Sequence, residues 1–209
     1  LKMRQDLSFK QDPFNMLDNL CLCMISYCNF EGLVNDKITI QDLADAYFKK
    51  YELNKEDSNT LALKYMSESN RFKNSLIDYY KSIFNVETSE QFCAYMIDLL
   101  DGTIGVVYKG TDNSLAGWKE DLMLSYKDIY SEFDALKYFN ENSKMFKKYR
   151  IMGHSKGGNL AIYAAVNCKH QNRIIEVYNN DGPNLRRNSF DKNKYNKLKD
   201  RYTKIVHNS

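Results

Sequence analysis

The fold is indicated most clearly by residues 150–159, which read Arg150-Ile151-Met152-Gly153-His154-Ser155-Lys156-Gly157-Gly158-Asn159. A short apolar strand leads into a Gly-x-Ser-x-Gly turn, and a helix of small residues is predicted from Asn159 to Cys168. A serine nucleophile on such a strained turn needs flanking glycines, because side chains there would collide with the strand or the helix. The helix N-terminus favours negative charge, so the Lys156 N–H is a candidate oxyanion donor. A phosphate-binding or ordinary βα turn is the alternative.

The sequence on either side of this turn alternates between strand and helix patterns. Apolar runs predict strands from Phe92 to Leu100 and from Thr103 to Tyr108, joined by the hairpin signal Asp101-Gly102. A helical period follows from Ser131 to Lys148, and another strand is predicted from Arg173 to Tyr178. Helices that alternate with strands are typical of an α/β fold with a mostly parallel sheet.

The first ninety residues show mainly helical patterns. Asp12-Pro13 predicts a helix start, and Thr39 with Asp42 resembles a capping box. Further helices are predicted from Thr60 to Ser67 and from Phe72 to Phe84. We therefore expect a single domain over residues 1–209, with a helical cap over 1–90 and the sheet with its turn over 91–209.

Composition excludes several classes of protein. With 43% hydrophobic and 27% charged residues the chain is not disordered, and no apolar run approaches the ~20 residues that cross a bilayer. The five cysteines lack metal-ligand spacing, so we expect reduced thiols, no metal site and a cytoplasmic location. Eight basic residues stand against two acidic ones over residues 184–204, but no nucleic-acid-binding motif accompanies them, and we expect no nucleic-acid partner.

Several motifs together resemble one protein family. They are Asp12-Pro13-Phe14-Asn15, Tyr108-Lys109-Gly110-Thr111-Asp112, Trp118-x-x-Asp121, Gly153-His154-Ser155-Lys156-Gly157-Gly158 and Tyr178-Asn179-Asn180-Asp181-Gly182-Pro183. The chain resembles the class 3 lipase branch of the α/β hydrolases and, more closely, a group of bacterial lipase-like proteins of unassigned function. The resemblance implies an α/β-hydrolase-like fold in which Thr111 supplies a second oxyanion donor and Trp118 and Asp121 brace its loop. Lys109 departs from the arginine that lipases usually carry.

A serine nucleophile needs a base, and the chain has three histidines. His154 lies inside the turn, where its side chain should point away from the serine hydroxyl. His170 lies at the far end of the following helix, roughly 20 Å away. His207 remains, and the order Ser155, Asp181, His207 matches nucleophile, acid and base in α/β hydrolases. Asp181 is equally consistent with an ordinary Asp-Gly-Pro turn.

The resemblance suggests that Lys204-Ile205-Val206 is the next strand and that the catalytic histidine follows on a later loop. We therefore expect the chain to be truncated at its C-terminus, with the base either His207 or a residue beyond 209. The resulting hypothesis is a serine hydrolase of lipase or esterase type that acts on a small-molecule or lipid acyl ester without metal or organic cofactor. The alternative is a hydrolase-like fold with an incomplete triad that serves as a binding module.

Overall fold

The computed structural model describes residues 6–85, 90–111, 124–186 and 188–206. In chain order the elements are α1 (Met16–Ile25), β1 (Ile38–Thr39), α2 (Ile40–Lys50), α3 (Ser58–Glu68), β2 (Leu76–Asn85), β3 (Glu90–Asp98), β4 (Thr103–Tyr108), α4 (Leu124–Asn142), β5 (Lys148–His154), α5 (Lys156–Asn167), β6 (Ile174–Asn180), α6 (Lys192–Leu198) and β7 (Tyr202–Ile205). Short 3-10 turns at Gln171–Arg173 and Lys199–Arg201 precede β6 and β7. Within these ranges no helix has both the length and the apolar character that a bilayer crossing requires.

The described strands form one mixed sheet in the order β1-β2-β3-β4-β5-β6-β7. Strands β1 to β4 pair antiparallel, whereas β4 to β7 pair parallel. The carboxyl ends of β4, β5, β6 and β7 therefore meet at one edge of the sheet, which is where α/β proteins usually place their sites. The predicted α/β fold is confirmed. The strand predicted over residues 204–206 is present as β7, which runs from Tyr202 to Ile205.

Helices cover both faces of the sheet. One buried cluster joins α1, α2 and α3 to side chains such as Tyr95, Val107 and Met152. A second cluster joins α4 and α5 to their strand neighbours, including Met96, Val106 and Ile151. Adjacent residues of one strand fall into different clusters because side chains alternate between the two faces of a sheet. The result is a three-layer arrangement with the sheet in the middle.

The predicted helix from Phe72 to Phe84 is wrong, because this segment contains β2. The register of β2 on β3 shifts between Asp78 and Lys81, so the strand carries one extra residue there. Ile77 and Tyr80 consequently pack on the same cluster although they are three residues apart, a spacing that imitates a helix. The sheet thus begins within the first ninety residues, and not at residue 91 as expected.

Two helix boundaries also differ from expectation. The helix predicted to run to Lys148 ends at Asn142, and the side chain of Phe146, which extended the apolar period, is 96% exposed. The first helix does not begin at Asp12-Pro13 but at Met16, where Asn15 and Asp18 form a capping box. The hairpin through Asp101-Gly102 is confirmed, as are α3 and the Thr39 cap of α2.

The residues before α1 are held by a buried arginine. Arg71 donates to both carboxylate oxygens of Asp18 on α1, from Nε to Oδ1 at 2.7 Å and from Nη2 to Oδ2 at 2.5 Å. Its guanidinium also donates to the carbonyl oxygens of Asp12 and Pro13 and lies 4.2 Å from the centre of the Phe9 ring. The Asp12-Pro13 pair therefore supplies acceptors to Arg71 instead of starting a helix.

Candidate active site

Ser155 occupies the tight turn between β5 and α5. Its backbone has φ 54° and ψ −128°, a left-handed conformation that costs energy for any residue with a Cβ. The turn is held by two hydrogen bonds, from the Ser155 N–H to the Asn180 carbonyl oxygen at 2.9 Å and from the Gly158 N–H to the Ser155 carbonyl oxygen at 2.8 Å. The strand, turn and helix predicted from the sequence are therefore present, with the serine at the strained position.

The two glycines of the Gly-x-Ser-x-Gly motif are required by close backbone approach. A Cβ atom on Gly157 would overlap the carbonyl oxygen of Tyr108, and one on Gly153 would overlap the carbonyl of Gly157. Both obstacles are backbone atoms, which cannot rotate away as a side chain would. Any larger residue at these two positions would separate α5 from strands β4 and β5.

The end of β4 brings Gly110 and Thr111 beside the serine. Tyr108 pairs with Gly153 in the parallel sheet, so the chain leaving β4 passes the turn. A Cβ atom on Gly110 would lie 3.3 Å from the Ser155 Cβ and 2.6 Å from the His154 carbonyl oxygen. Thr111 follows directly and is half-buried. Of the two predicted oxyanion donors, Lys156 follows Ser155 directly and Thr111 follows Gly110, the residue that faces the serine. Trp118 and Asp121 lie outside the described residues.

Asn180, the last residue of β6, hydrogen-bonds the turn that carries Ser155. Besides its carbonyl contact with Ser155, its Nδ2 donates to the Gly153 carbonyl oxygen at 3.0 Å and to Asn19 Oδ1 on α1 at 3.0 Å. Asn19 Nδ2 donates in return to Asn180 Oδ1 at 2.8 Å, and both side chains are almost fully buried. Asn180 Nδ2 also lies 3.3 Å from the sulfur of Cys23, whose pKa burial raises to about 12. The sequence analysis did not predict this amide pair.

Asp181 begins the loop after β6. Its φ is 55°, its side chain is exposed, and its N–H donates to the Ile205 carbonyl oxygen at 2.7 Å. Asn179 Oδ1 accepts the Gly182 N–H at 2.8 Å, and a Cβ atom on Gly182 would overlap the Ser155 carbonyl oxygen. The loop that carries Asp181 therefore packs directly against the turn that carries the serine.

The described histidines make no hydrogen bond to the Ser155 hydroxyl. His154 Nδ1 lies 2.8 Å from the hydroxyl oxygen of Tyr27, and the two rings meet edge to face with centres 5.9 Å apart. His170 lies just beyond the C-terminal end of α5, at the start of the 3-10 turn before β6. His207 lies outside the described residues.

A groove of about 490 Å3 opens beside the turn. Its lining includes Gly110 and Tyr27, the residues that contact Ser155 and His154 respectively. The carboxyl end of the parallel strands thus carries a serine on a strained turn, two candidate oxyanion donors and a cavity large enough for a small molecule.

Residues 66–209 match the Mbeg1-like family model. The chain belongs to the Mbeg1-like family. Its motifs and its strand-turn-helix geometry agree with the lipase-like resemblance seen in the sequence. No curated protein matches the sequence of this Mbeg1-like chain.

Solved structures share the fold of this Mbeg1-like chain at low sequence identity. MDLA from Penicillium cyclopium, in a mutant form, is 14% identical with a TM-score of 0.54, over 90% of this chain and 68% of that one. A fungal lipase–inhibitor complex studied for interfacial activation is 15% identical with a TM-score of 0.49, over 89% and 67%. A deletion mutant of Rhizomucor miehei lipase in a propeptide complex is 15% identical with a TM-score of 0.46, over 78% and 49%. The likeness to MDLA, whose TM-score exceeds 0.5, shows that this Mbeg1-like chain shares the α/β fold of that protein.

Proposed function

We propose that this Mbeg1-like protein is a serine hydrolase of esterase or lipase type. The observation that carries the proposal is the conformation of Ser155, with φ 54° between β5 and α5 and with Gly110 against its Cβ. A strained serine at a helix N-terminus has its hydroxyl exposed and backbone N–H groups close by, which is the arrangement that acyl transfer requires. The substrate is an acyl ester of a small molecule or lipid.

In the proposed reaction the Ser155 hydroxyl oxygen attacks the ester carbonyl carbon. The N–H of Lys156 and a donor of Thr111, backbone or hydroxyl, stabilise the oxyanion as it forms. A histidine takes the serine proton and returns it to the leaving alcohol, so that an acyl-enzyme remains. Water then attacks the acyl-enzyme, and the same histidine takes its proton to free the acid. Asp181 is our candidate for the residue that orients this histidine, which is His207 or a residue beyond 209.

The test is the intact mass of the protein after exposure to a fluorophosphonate, performed on the 209-residue chain and on the full-length gene product. We expect one adduct, absent in Ser155→Ala and retained in the matched control Ser189→Ala, which removes a serine hydroxyl distant from the turn. The same variants are compared in the hydrolysis of p-nitrophenyl butyrate. An adduct that persists in Ser155→Ala, or no adduct on the full-length protein, would contradict the proposal.

The placement of the two histidines in the described residues, His154 and His170, favours a second candidate, a binding module with an incomplete triad. The ring of His154 bonds to Tyr27, and His170 lies at the opposite end of α5 from Ser155. Such a module would bind an ester or its acid without turning it over. The full-length fluorophosphonate experiment separates the two candidates, because only an activated serine forms the adduct.

We also propose that the protein works in a reducing compartment, as the cytoplasm is. None of the five cysteines forms a disulfide, and four of them are buried. Reduced buried thiols are usual where disulfides do not persist.

A further inference from the structure

The groove of about 490 Å3 lies next to the serine turn, which it approaches at Gly110. Gly110 contributes to its lining and faces Ser155, and a Cβ atom on Gly110 would overlap the hydroxyl of Tyr27, which also lines the groove. Lys156, the residue after the serine, extends its Nζ to 3.5 Å from the carbonyl oxygen of Gln91 at the groove. An acyl group bonded to Ser155 therefore has this groove as its neighbour.

Strands β2 and β3 present polar groups to the groove. On β3, Phe92 turns its ring into the opposite core, where it lies 6.1 Å from the Tyr108 ring and is only 2% exposed. Its neighbour Cys93 therefore points to the other face, into the groove. On β2, Ser82 is exposed and pairs with Cys93 across the two strands, and Tyr80 lines the groove beside them.

The opposite side of the groove carries charge of both signs. The Lys109 ammonium lies 5.7 Å from the centre of the Tyr27 ring, and both residues line the cavity. The carboxylate of Glu31 is exposed at the same cavity, and the Asn29 amide lies two residues before it. The groove therefore offers hydrogen-bond donors and acceptors along its length. The side chain of Ile83, which pairs with Phe92, packs against the opposite core as Phe92 does.

A plain alkyl chain is a poor occupant of such a groove. The volume lies within the usual range for small-molecule sites, so size alone excludes little. An alkyl chain would displace water from the polar lining without replacing its hydrogen bonds, and each group left unpaired weakens binding by about fivefold or more. Each added methylene strengthens binding by only about fourfold even when it contacts an apolar wall. Polarity, not size, therefore decides which acyl groups fit.

We infer that this groove selects short acyl groups that carry hydroxyl groups over unsubstituted alkyl chains, an inference that rests on the proposed serine hydrolase activity. A hydroxyl on the acyl group replaces the water that hydrogen-bonds the lining near Ser82 and Tyr80. A long alkyl chain finds no continuous apolar wall to cover it. The substrate class is thus a polar ester, and not the long-chain ester of a lipid.

The experiment compares kcat/KM of the full-length protein on p-nitrophenyl 3-hydroxybutyrate, butyrate, octanoate and dodecanoate. We expect the hydroxylated ester to exceed butyrate by about tenfold, as one added hydrogen bond allows, and the values to fall with chain length. Rates that rise from butyrate to dodecanoate, or equal rates on the two four-carbon esters, would overturn the inference while leaving the hydrolase intact. Absence of both hydrolysis and the fluorophosphonate adduct would instead refute the proposed function and, with it, the inference.

The variant Ser82→Val tests whether the preference for the hydroxylated ester arises in the groove. The substitution removes one hydroxyl from β2 and introduces a side chain that strands accept well. We expect the preference for 3-hydroxybutyrate over butyrate to fall at least threefold. Thr203→Val makes the equivalent change at an exposed position of β7, three strands from β4, and should leave the preference unchanged. An unchanged preference in a folded Ser82→Val protein, judged by its melting temperature, would contradict this location.

Discussion

The amide pair of Asn19 and Asn180 predicts a specific pattern of energetic coupling. The two side chains exchange hydrogen bonds of 2.8 and 3.0 Å, and both are buried. Replacing either residue by leucine removes both bonds. Asn19→Leu leaves Asn180 Oδ1 without its donor, although Asn180 Nδ2 keeps the Gly153 carbonyl oxygen. Asn180→Leu leaves Asn19 Nδ2 without its acceptor and also removes the bond to Gly153. At roughly 1–3 kcal/mol for each stranded group, either single substitution should cost about 3 kcal/mol of the free energy of unfolding. For a chain of this length that corresponds to a melting temperature lower by about 6–12 °C.

The double variant Asn19→Leu/Asn180→Leu tests the reasoning. Because both amides are then absent, neither side chain is left buried without the other. The loss of free energy of unfolding in the double variant should therefore be smaller than the sum of the two single losses by about 2 kcal/mol. Urea unfolding of the four proteins measures this coupling. In addition, Asn180→Leu should slow fluorophosphonate labelling of Ser155 more than Asn19→Leu does, since only Asn180 also donates to Gly153. Losses that simply add would refute the role assigned to the pair.

Two further predictions concern buried groups elsewhere. Arg71→Met should lower the free energy of unfolding by about 3–5 kcal/mol because it leaves Asp18, 5% exposed, without its ion partner. Lys64→Met, which breaks an exposed pair with Glu68, should cost less than about 1 kcal/mol, and similar losses in thermal melts of the two variants would contradict this contrast. Burial raises the pKa of the Cys23 thiol from 9.0 to about 12. The protonated thiol is therefore favoured in the folded chain, and this contribution to the free energy of unfolding is complete below pH 9 and is lost as the pH rises towards 12. The melting temperature should therefore fall between pH 8 and pH 10, and fall less in Cys23→Ala; equal falls would count against the cysteine as the cause.

Local signals predicted most of the fold. The apolar strand, the glycines and the small-residue helix around Ser155 are all encoded within ten residues, and the structure has them in that order. The wrong helix predictions arose where a spacing typical of a helix had another physical cause. A bulge in β2 gave Ile77 and Tyr80 a helical spacing, and an exposed Phe146 extended a helical period beyond the real end of α4. The capping signal at Asp12-Pro13 failed because a distant arginine takes those carbonyl groups.

The candidate site was only partly predictable, because several of its contacts join distant parts of the chain. The motifs indicated Ser155 with Thr111 and Lys156, and the structure has the serine on the strained turn with Gly110 beside it. Asn19 and Asn180 are 161 positions apart, and Tyr27 and His154 are 127 apart, so no spacing rule connects them. The acid and base roles of Asp181 and His207 stay predictions.

The order of the strands has a consequence for synthesis of the protein. Neighbouring strands in the sheet follow one another in the chain, so a nascent polypeptide can add each strand to the edge of the sheet already formed. The serine turn, however, depends on β6, since the Ser155 N–H finds its acceptor on Asn180. A ribosome-bound chain that ends before Asn180 therefore carries the serine without the contact that fixes its conformation. Ser155 acquires its backbone geometry only after β6 has been made, and incomplete chains lack it.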